Sequence, residues 1–197
     1  MDIAVKDGWI EVITGGMYAG KTEELLRRVR RVKYAQKEIL VFKPALDTRY
    51  GLNEIVSHNN ERIDSISINA PEEIFRYFGS KLPYAVAADE VQFFGKELIE
   101  IAEDLASHGV RVILAGLDTD FRGEPFGIMP ELLARAEYVT KLAAICQVCG
   151  APATRTQRII DGKPAKFDDP IILIGAKEQY EARCRHCHVV IKENEEK

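Results

Sequence analysis

Residues Gly15 to Thr22 read GGMYAGKT, which fits the phosphate-loop pattern G-x-x-x-x-G-K-[ST] and follows directly on the apolar, β-rich run WIEVIT from Trp9 to Thr14. Such a loop works through its backbone. Gly15 and Gly20 permit angles that a side chain forbids, so consecutive N–H groups, through Gly16, Met17, Tyr18 and Ala19, can turn inward around a phosphate. Lys21 is placed to reach the β- and γ-phosphates, the following helix adds the positive end of its dipole, and the Thr22 hydroxyl can ligate Mg²⁺. The pattern predicts use of a nucleoside triphosphate; the alternative is a glycine turn whose lysine is merely solvated.

Asp89 and Glu90 end the apolar run YAVAADEVQFF, where they would emerge beside the phosphate loop. An aspartate there can hold the Mg²⁺ water shell, which leaves Glu90 free for another task. The two carboxylates could instead cap the next helix, but an uncompensated acidic pair at the end of a buried strand is costly unless a cation sits near it.

All four cysteines fall late, as Cys146-x-x-Cys149 and Cys184-x-x-Cys187. Two such pairs can grip one zinc ion with four thiolates, and a filled tetrahedral shell makes that zinc structural. Thirty-four residues separate Cys149 from Cys184, more than in a compact zinc ribbon, so the metal would staple the root of a long excursion that could serve as a substrate lid. Redox pairs or buried thiols are the competing readings. His186 and His188 are spare ligands nearby, whereas His58 and His108 read as local hydrogen-bonding residues. Met17, Phe93, Phe121 and Tyr180 could sandwich a flat base, or they could be ordinary packing at loop roots.

The elements that must position these groups alternate between strand and helix. Lys21 to about Ala35 carries Leu25, Val29 and Val32 on one helical stripe, with Glu23–Arg27 and Glu24–Arg28 at i,i+4. Glu38 to Lys43 reads as a strand, Pro71 to Phe78 as a short helix, Tyr84 to Ala88 as a buried strand, Gly95 to His108 as a helix and Arg111 to Ala115 as another strand. The fold class expected is α/β: a phosphate-loop parallel sheet flanked by helices, with ligands at the carboxyl ends of the strands. From Cys146 shorter β-rich pieces, ATRTQRII and FDDPIILIG, replace the helical pattern. The expected division is residues 1–142 as the nucleotide-binding domain, 143–192 as a small zinc-stapled lid, and 193–197 as a charged, frayed tail.

Composition narrows the classes further. The chain has 197 residues, 46% of them hydrophobic, enough for one well-buried domain with a small satellite. A net charge of −4 argues against a general polyanion binder, so no nucleic-acid partner is expected, and the RRVRR run at Arg27 to Arg31 reads as a solvated or subunit-contact face. Neither a signal-peptide core nor a membrane span is evident, so a cytoplasmic, membrane-free protein is expected.

Taken in order, GGMYAGKT, FKPALDTRY from Phe42, ADEVQFF from Ala88, AGLDTDFRGEPFG from Ala115, CQVCGAPATRTQR from Cys146 and IILIGAKEQYEARCRHC from Ile171 make the chain resemble the zinc-containing class of cytosolic thymidine kinases. The resemblance implies transfer of the γ-phosphate of ATP to the 5′-hydroxyl of thymidine, with Glu90 as general base. It puts Asp89 and Gln92 with residues 15–22 at ATP, and Thr22 and Asp89 at Mg²⁺. It makes Cys146, Cys149, Cys184 and Cys187 the zinc ligands. Thymidine would lie under Ile171, Ile172, Leu173, Ile174 and Gly175, with Met17, Phe93, Leu117, Phe121, Thr156 and Tyr180 lining the pocket and Arg49 assisting from the acceptor side. A homotetramer inhibited by thymidine triphosphate, and acceptance of deoxyuridine, are implied in the same way. The rival readings are a nucleoside monophosphate kinase with a zinc lid and a zinc-ribbon ATPase driven by nucleic acid; the first would want a lid richer in arginine than Arg155, Arg158 and Arg183 provide beside Asp161, Asp168, Asp169 and Glu178.

Overall fold

Runs that are apolar at every position need cover on both faces, and parallel strands joined by helices provide it. In the computed structural model, which describes residues 8–45, 54–56, 62–172 and 178–192, the N-terminal part contains strands β1 (Trp9–Thr14), β2 (Ile39–Pro44), β3 (Glu54–Val56), β4 (Arg62–Asp64), β5 (Ile66–Ile68), β6 (Ala85–Ala88), β7 (Arg111–Gly116) and β8 (Tyr138–Lys141). Helices α1 (Lys21–Tyr34), α2 (Glu97–Ser107) and α3 (Met129–Arg135) join them, with tight 3₁₀ turns at Pro71–Tyr77 and Val91–Phe93.

Six strands form one sheet in the order β5-β2-β6-β7-β1-β8, and its neighbours all pair in parallel. Thr14 lies opposite both Gly116 and Lys141, and Ala88 opposite Phe42 and Leu114, so the carboxyl ends finish together. Only β7 separates β1 from β6. The phosphate loop and Asp89 therefore leave one sheet edge about 10 Å apart, two strand spacings.

Alternation along the strands divides the core. Val12, Val86 and Val112 pack with Leu98, Leu105 and Met129 on the α2 and α3 side, while Ile13, Ala87 and Ile113 pack with Leu25, Leu26 and Val29 of α1. The far end of β1 is pinned by charge. Glu11, 5% exposed, accepts from Arg28 Nη1 of α1 at 2.6 Å and from Arg111 Nε of β7 at 2.6 Å. Burial pulls the Glu11 pKa up, but hydrogen bonds from Arg111, Trp9 and Arg28 outweigh it and hold the carboxyl below its ordinary range.

The remaining strands form two smaller sheets. A hairpin of β9 (Ala144–Ile145) and β10 (Pro152–Ala153) is followed by an antiparallel sheet, β12-β11-β13, of β11 (Arg155–Ile160), β12 (Lys163–Pro164) and β13 (Glu178–Arg183).

Several details differ from the sequence expectation. The strand predicted from Tyr84 starts one residue later, at Ala85; Tyr84 is 44% exposed and its ring lies 5.9 Å from Lys37 Nζ. No strand forms within the described part of FDDPIILIG, where Asp169 instead closes a turn by accepting the Lys166 N–H at 2.7 Å. Strands β3, β4, β5 and β8 and helix α3 were not anticipated. Of the basic run, Arg28 is drawn inward to Glu11 and Glu24, whereas Arg27 bonds Glu24 at 2.6 Å from an exposed position.

These bonds hold Glu24 at a pKa of about 2, with Arg27 the main cause against a smaller opposing effect of burial. A folded-state pKa below the unfolded one stabilises fully above the unfolded value and loses that stability as pH falls toward the folded one. Glu24→Gln should thus destabilise the protein by about 1 kcal/mol near neutral pH, after allowance for solvent screening. Thermal melts should show the difference from wild type shrinking from pH 5 toward pH 2, over the window between those two pKa values.

Candidate active site and metal centre

The phosphate loop owes its path to two glycines. Gly15, at φ 144°, sits so close to the chain leaving β8 that a Cβ there would lie 2.4 Å from the Leu142 carbonyl oxygen. Gly20, at φ 83°, is the left-handed cap that starts α1, and its carbonyl accepts the Glu24 N–H at 3.0 Å. Lys21, the first residue of α1, is almost fully buried and its Nζ donates to the Gly16 carbonyl at 3.0 Å. Met17 N donates to Thr156 Oγ1 of β11 at 3.0 Å, which ties the loop directly to the C-terminal sheet.

Across β7, Asp89 stands at the end of β6 with its amide bonded to the Phe42 carbonyl. Its Oδ2 accepts from Thr22 Oγ1 at 3.0 Å, and its Oδ1 accepts from the Glu90 N–H at 2.9 Å. Burial, reinforced by the neighbouring Glu90 charge, pushes Asp89 up to about 7, against the Glu90 N–H, Lys21 and Thr22, which favour its charged form. A buried carboxylate and a hydroxyl in contact are hard oxygen donors that suit Mg²⁺.

Glu90 adopts the left-handed region, φ 52° and ψ 39°, which turns the chain sharply off the strand. Its Oε2 accepts from Gln92 Nε2 at 2.5 Å, and Gln92 Oε1 accepts from the Leu117 N–H at 3.0 Å. Gln92 is buried, and a Cβ at Gly116 would lie 2.7 Å from its Oε1. The amide expected at ATP therefore bridges Glu90 and Leu117.

Around this edge, Phe93 packs edge-on to Phe126 at 5.6 Å, and Phe121 is buried beneath the Arg158 guanidinium at 4.1 Å. Arg158 Nε donates to Tyr180 Oη at 3.1 Å. His188, a possible spare ligand by sequence, contacts the Phe121 carbonyl through Nε2 at 2.8 Å. Ile171 and Ile172 are 37% and 48% exposed. Arg49, His58, Leu173, Ile174, Gly175 and the tail 193–197 lie outside the described residues.

Three features were missed from sequence: the Gln92 bridge, the buried Arg158, and the pair of Lys141 Nζ with Asp118 Oδ2 at 2.7 Å. Arg158 left a signal. It stands two residues after Thr156 in one strand, so alternation puts both on one face.

The four cysteines converge as their spacing requires. Cys146 follows β9, Cys184 follows β13, and each pair sits on a turn closed by Gly150 N to the Cys146 carbonyl and Cys187 N to the Cys184 carbonyl. The four Sγ atoms all lie within 4.8 Å of one another, with Cys149 and Cys184 at 3.6 Å. Tetrahedral zinc with bonds of about 2.3 Å sets its sulfurs about 3.8 Å apart, so the cluster could hold zinc. Burial raises the Cys146 pKa, but backbone N–H groups of Cys184, Cys149 and Val148 outweigh it and bring it to about 6, whereas hydrogen bonding with Cys184 and Cys149 pushes Cys187 up to about 12.

A family model described as thymidine kinase matches residues 8–188. The chain belongs to the thymidine kinase family. Membership supports a kinase, a phosphotransferase, and the monophosphate-kinase and nucleic-acid-driven ATPase alternatives are not favoured. Among solved structures, the ATPase DotB of Legionella pneumophila shares 14% identity at a TM-score of 0.42, over 76% of this chain and 44% of that one. No helix among the described residues is long and apolar enough to cross a membrane.

Replacing one cysteine leaves three ligands and an open position. For Cys184→Ser, bound zinc should fall from about one per chain to near none, measured by elemental analysis of freshly reduced protein, with the α/β part still folded by circular dichroism. Zinc retained at the wild-type ratio would mean that the ion is held elsewhere.

Proposed function

We propose that the protein transfers the γ-phosphoryl group of ATP to the 5′-hydroxyl of thymidine, and of deoxyuridine. The observation that carries this is the pairing at the sheet edge: Thr22 of the phosphate loop bonded to Asp89, with Glu90 next in the chain. The loop amides, Lys21 and the α1 N-terminus hold the triphosphate. Thr22 and Asp89 hold Mg²⁺, which when bound neutralises charge on the phosphates. Glu90, steadied by Gln92, accepts the proton of the 5′-hydroxyl as its oxygen bonds to the γ-phosphorus; the bond from that phosphorus to the β,γ-bridging oxygen breaks, and ADP leaves with the electron pair.

Residues 1–142 form the donor domain, residues 143–192 the zinc-stapled lid and 193–197 a tail in this reading. Thymidine lies beneath the segment that begins at Ile171, against Met17, Phe93, Leu117, Phe121, Thr156 and Tyr180, with Arg49 on the acceptor side. The thymine ring offers two carbonyls and one N–H, a pattern that backbone groups can match. Cytosine reverses one donor and one acceptor, which costs about 1–3 kcal/mol for each group left unmet in a dry site. Thymidine triphosphate would act as an inhibitor that spans both subsites, and the working form is a cytoplasmic homotetramer.

An acceptor screen with ATP tests this directly. Thymidine and deoxyuridine should be phosphorylated while deoxyguanosine and thymidylate are not; turnover of thymidylate alone would remove the proposal. Glu90→Gln keeps shape but removes the proton acceptor, so kcat should fall by about 10²–10⁴-fold, with ADP affinity within about twofold of wild type. Unchanged turnover would reassign the base.

A further inference from the structure

The lid contains a cation that the mechanism above does not use. Arg158, in the middle of β11, is 2% exposed, although a guanidinium is among the groups least willing to leave water. What surrounds it explains how it is accommodated. Its Nε donates to Tyr180 Oη at 3.1 Å, its Nη1 donates to the Pro170 carbonyl and its Nη2 to the Ile171 carbonyl. Its plane lies over the Phe121 ring at 4.1 Å and near the Tyr180 ring at 5.4 Å.

These partners come from three separate places. Phe121 belongs to the loop after β7, Tyr180 to β13, which pairs directly with Arg158 in register, and Pro170 and Ile171 to the segment after β12. Only a planar fork with several fixed donors can take two successive carbonyls and a phenol at once while stacking on a ring. The zinc cluster packs on Ala144, Ala153 and Ala182 and does not include Arg158, so the two devices fasten different parts of the lid.

We propose that Arg158 is a positioning residue for the acceptor nucleoside. It fixes Pro170 and Ile171 against Phe121 and Tyr180, the two aromatic residues assigned to the base pocket. This rests on the thymidine-binding reading above and goes beyond it in naming the side chain that holds that wall of the pocket together. Ile171 is on this view an anchor, its carbonyl engaged by Arg158. A side chain that only fixes the acceptor pocket should govern nucleoside KM and pyrimidine choice, and leave donor binding and zinc alone.

The test compares wild type, Arg158→Lys, Arg158→Met and Tyr180→Phe as full-length, zinc-loaded protein. We expect KM for thymidine to rise about tenfold or more in both Arg158 variants, with KM for ATP and zinc content unchanged and kcat within about threefold. Lysine should restore little, since one ammonium cannot replace a planar fork. Preference for thymidine over deoxycytidine, as the ratio of kcat/KM, should shrink in the same variants, and Tyr180→Phe should move KM in the same direction by about threefold. Unchanged thymidine KM in active Arg158 variants overturns the assignment, as does a joint rise in both KM values with loss of zinc, which marks general lid collapse. Should Arg158→Met not fold, Arg158→Lys and Tyr180→Phe decide by the same split. A wild-type enzyme that ignores thymidine overturns the functional reading itself, an outcome distinct from wild-type turnover with insensitive variants.

Discussion

The contact between Thr22 and Asp89 governs the rest of the site, because it joins two chain segments that share no local sequence and places a carboxylate where burial opposes its charge. That contact exists only if β1 and β6 lie on either side of β7 in parallel and end at the same level. The apolar strands, the two-sided core and the Glu11 ion cluster at the opposite end of β1 all keep that register. A slip of one residue in a parallel strand would turn every buried side chain to the wrong face. The candidate site at this edge is thus held by the whole sheet.

Much of this was legible because it depends on short-range rules. GGMYAGKT announces its loop through Gly15, Gly20 and Lys21, and the strand before it and the helix after it follow from apolar spacing. The cysteine pairs likewise declare a cluster, since each pair closes its own turn and two pairs can share one centre. What escaped was tertiary. Tyr138 to Lys141 carries no buried side chain, so it looks like a loop, yet it pairs along β1 as an edge strand. The β5 segment ISI is too short to show a period against its neighbours. Gln92 bears nothing in its type that ties it to Leu117; the bridge follows from the sharp turn at Glu90 and from the bare space beside Gly116.

The C-terminal strands are fastened through different chemistries at two places. At the root, sulfur atoms converge from β9 and β13; further out, a buried guanidinium gathers two carbonyls and a phenol. Four thiolates can set a tetrahedron about a point, whereas a guanidinium sets a plane, here laid on the Phe121 ring. Phe121, in the loop after β7, joins the parallel sheet to this arrangement, for its ring meets Arg158 while its carbonyl meets His188.

One small bond has a wide thermodynamic reach. Met17 belongs to the phosphate loop, and its amide is held by Thr156, two residues from Arg158 on the same strand. Whatever moves β11 must also lengthen or tighten that link. A ligand on either side whose binding shifts this link is coupled to a ligand on the other side, and linkage makes that coupling reciprocal: the factor by which the first alters the affinity of the second equals the factor in the opposite direction.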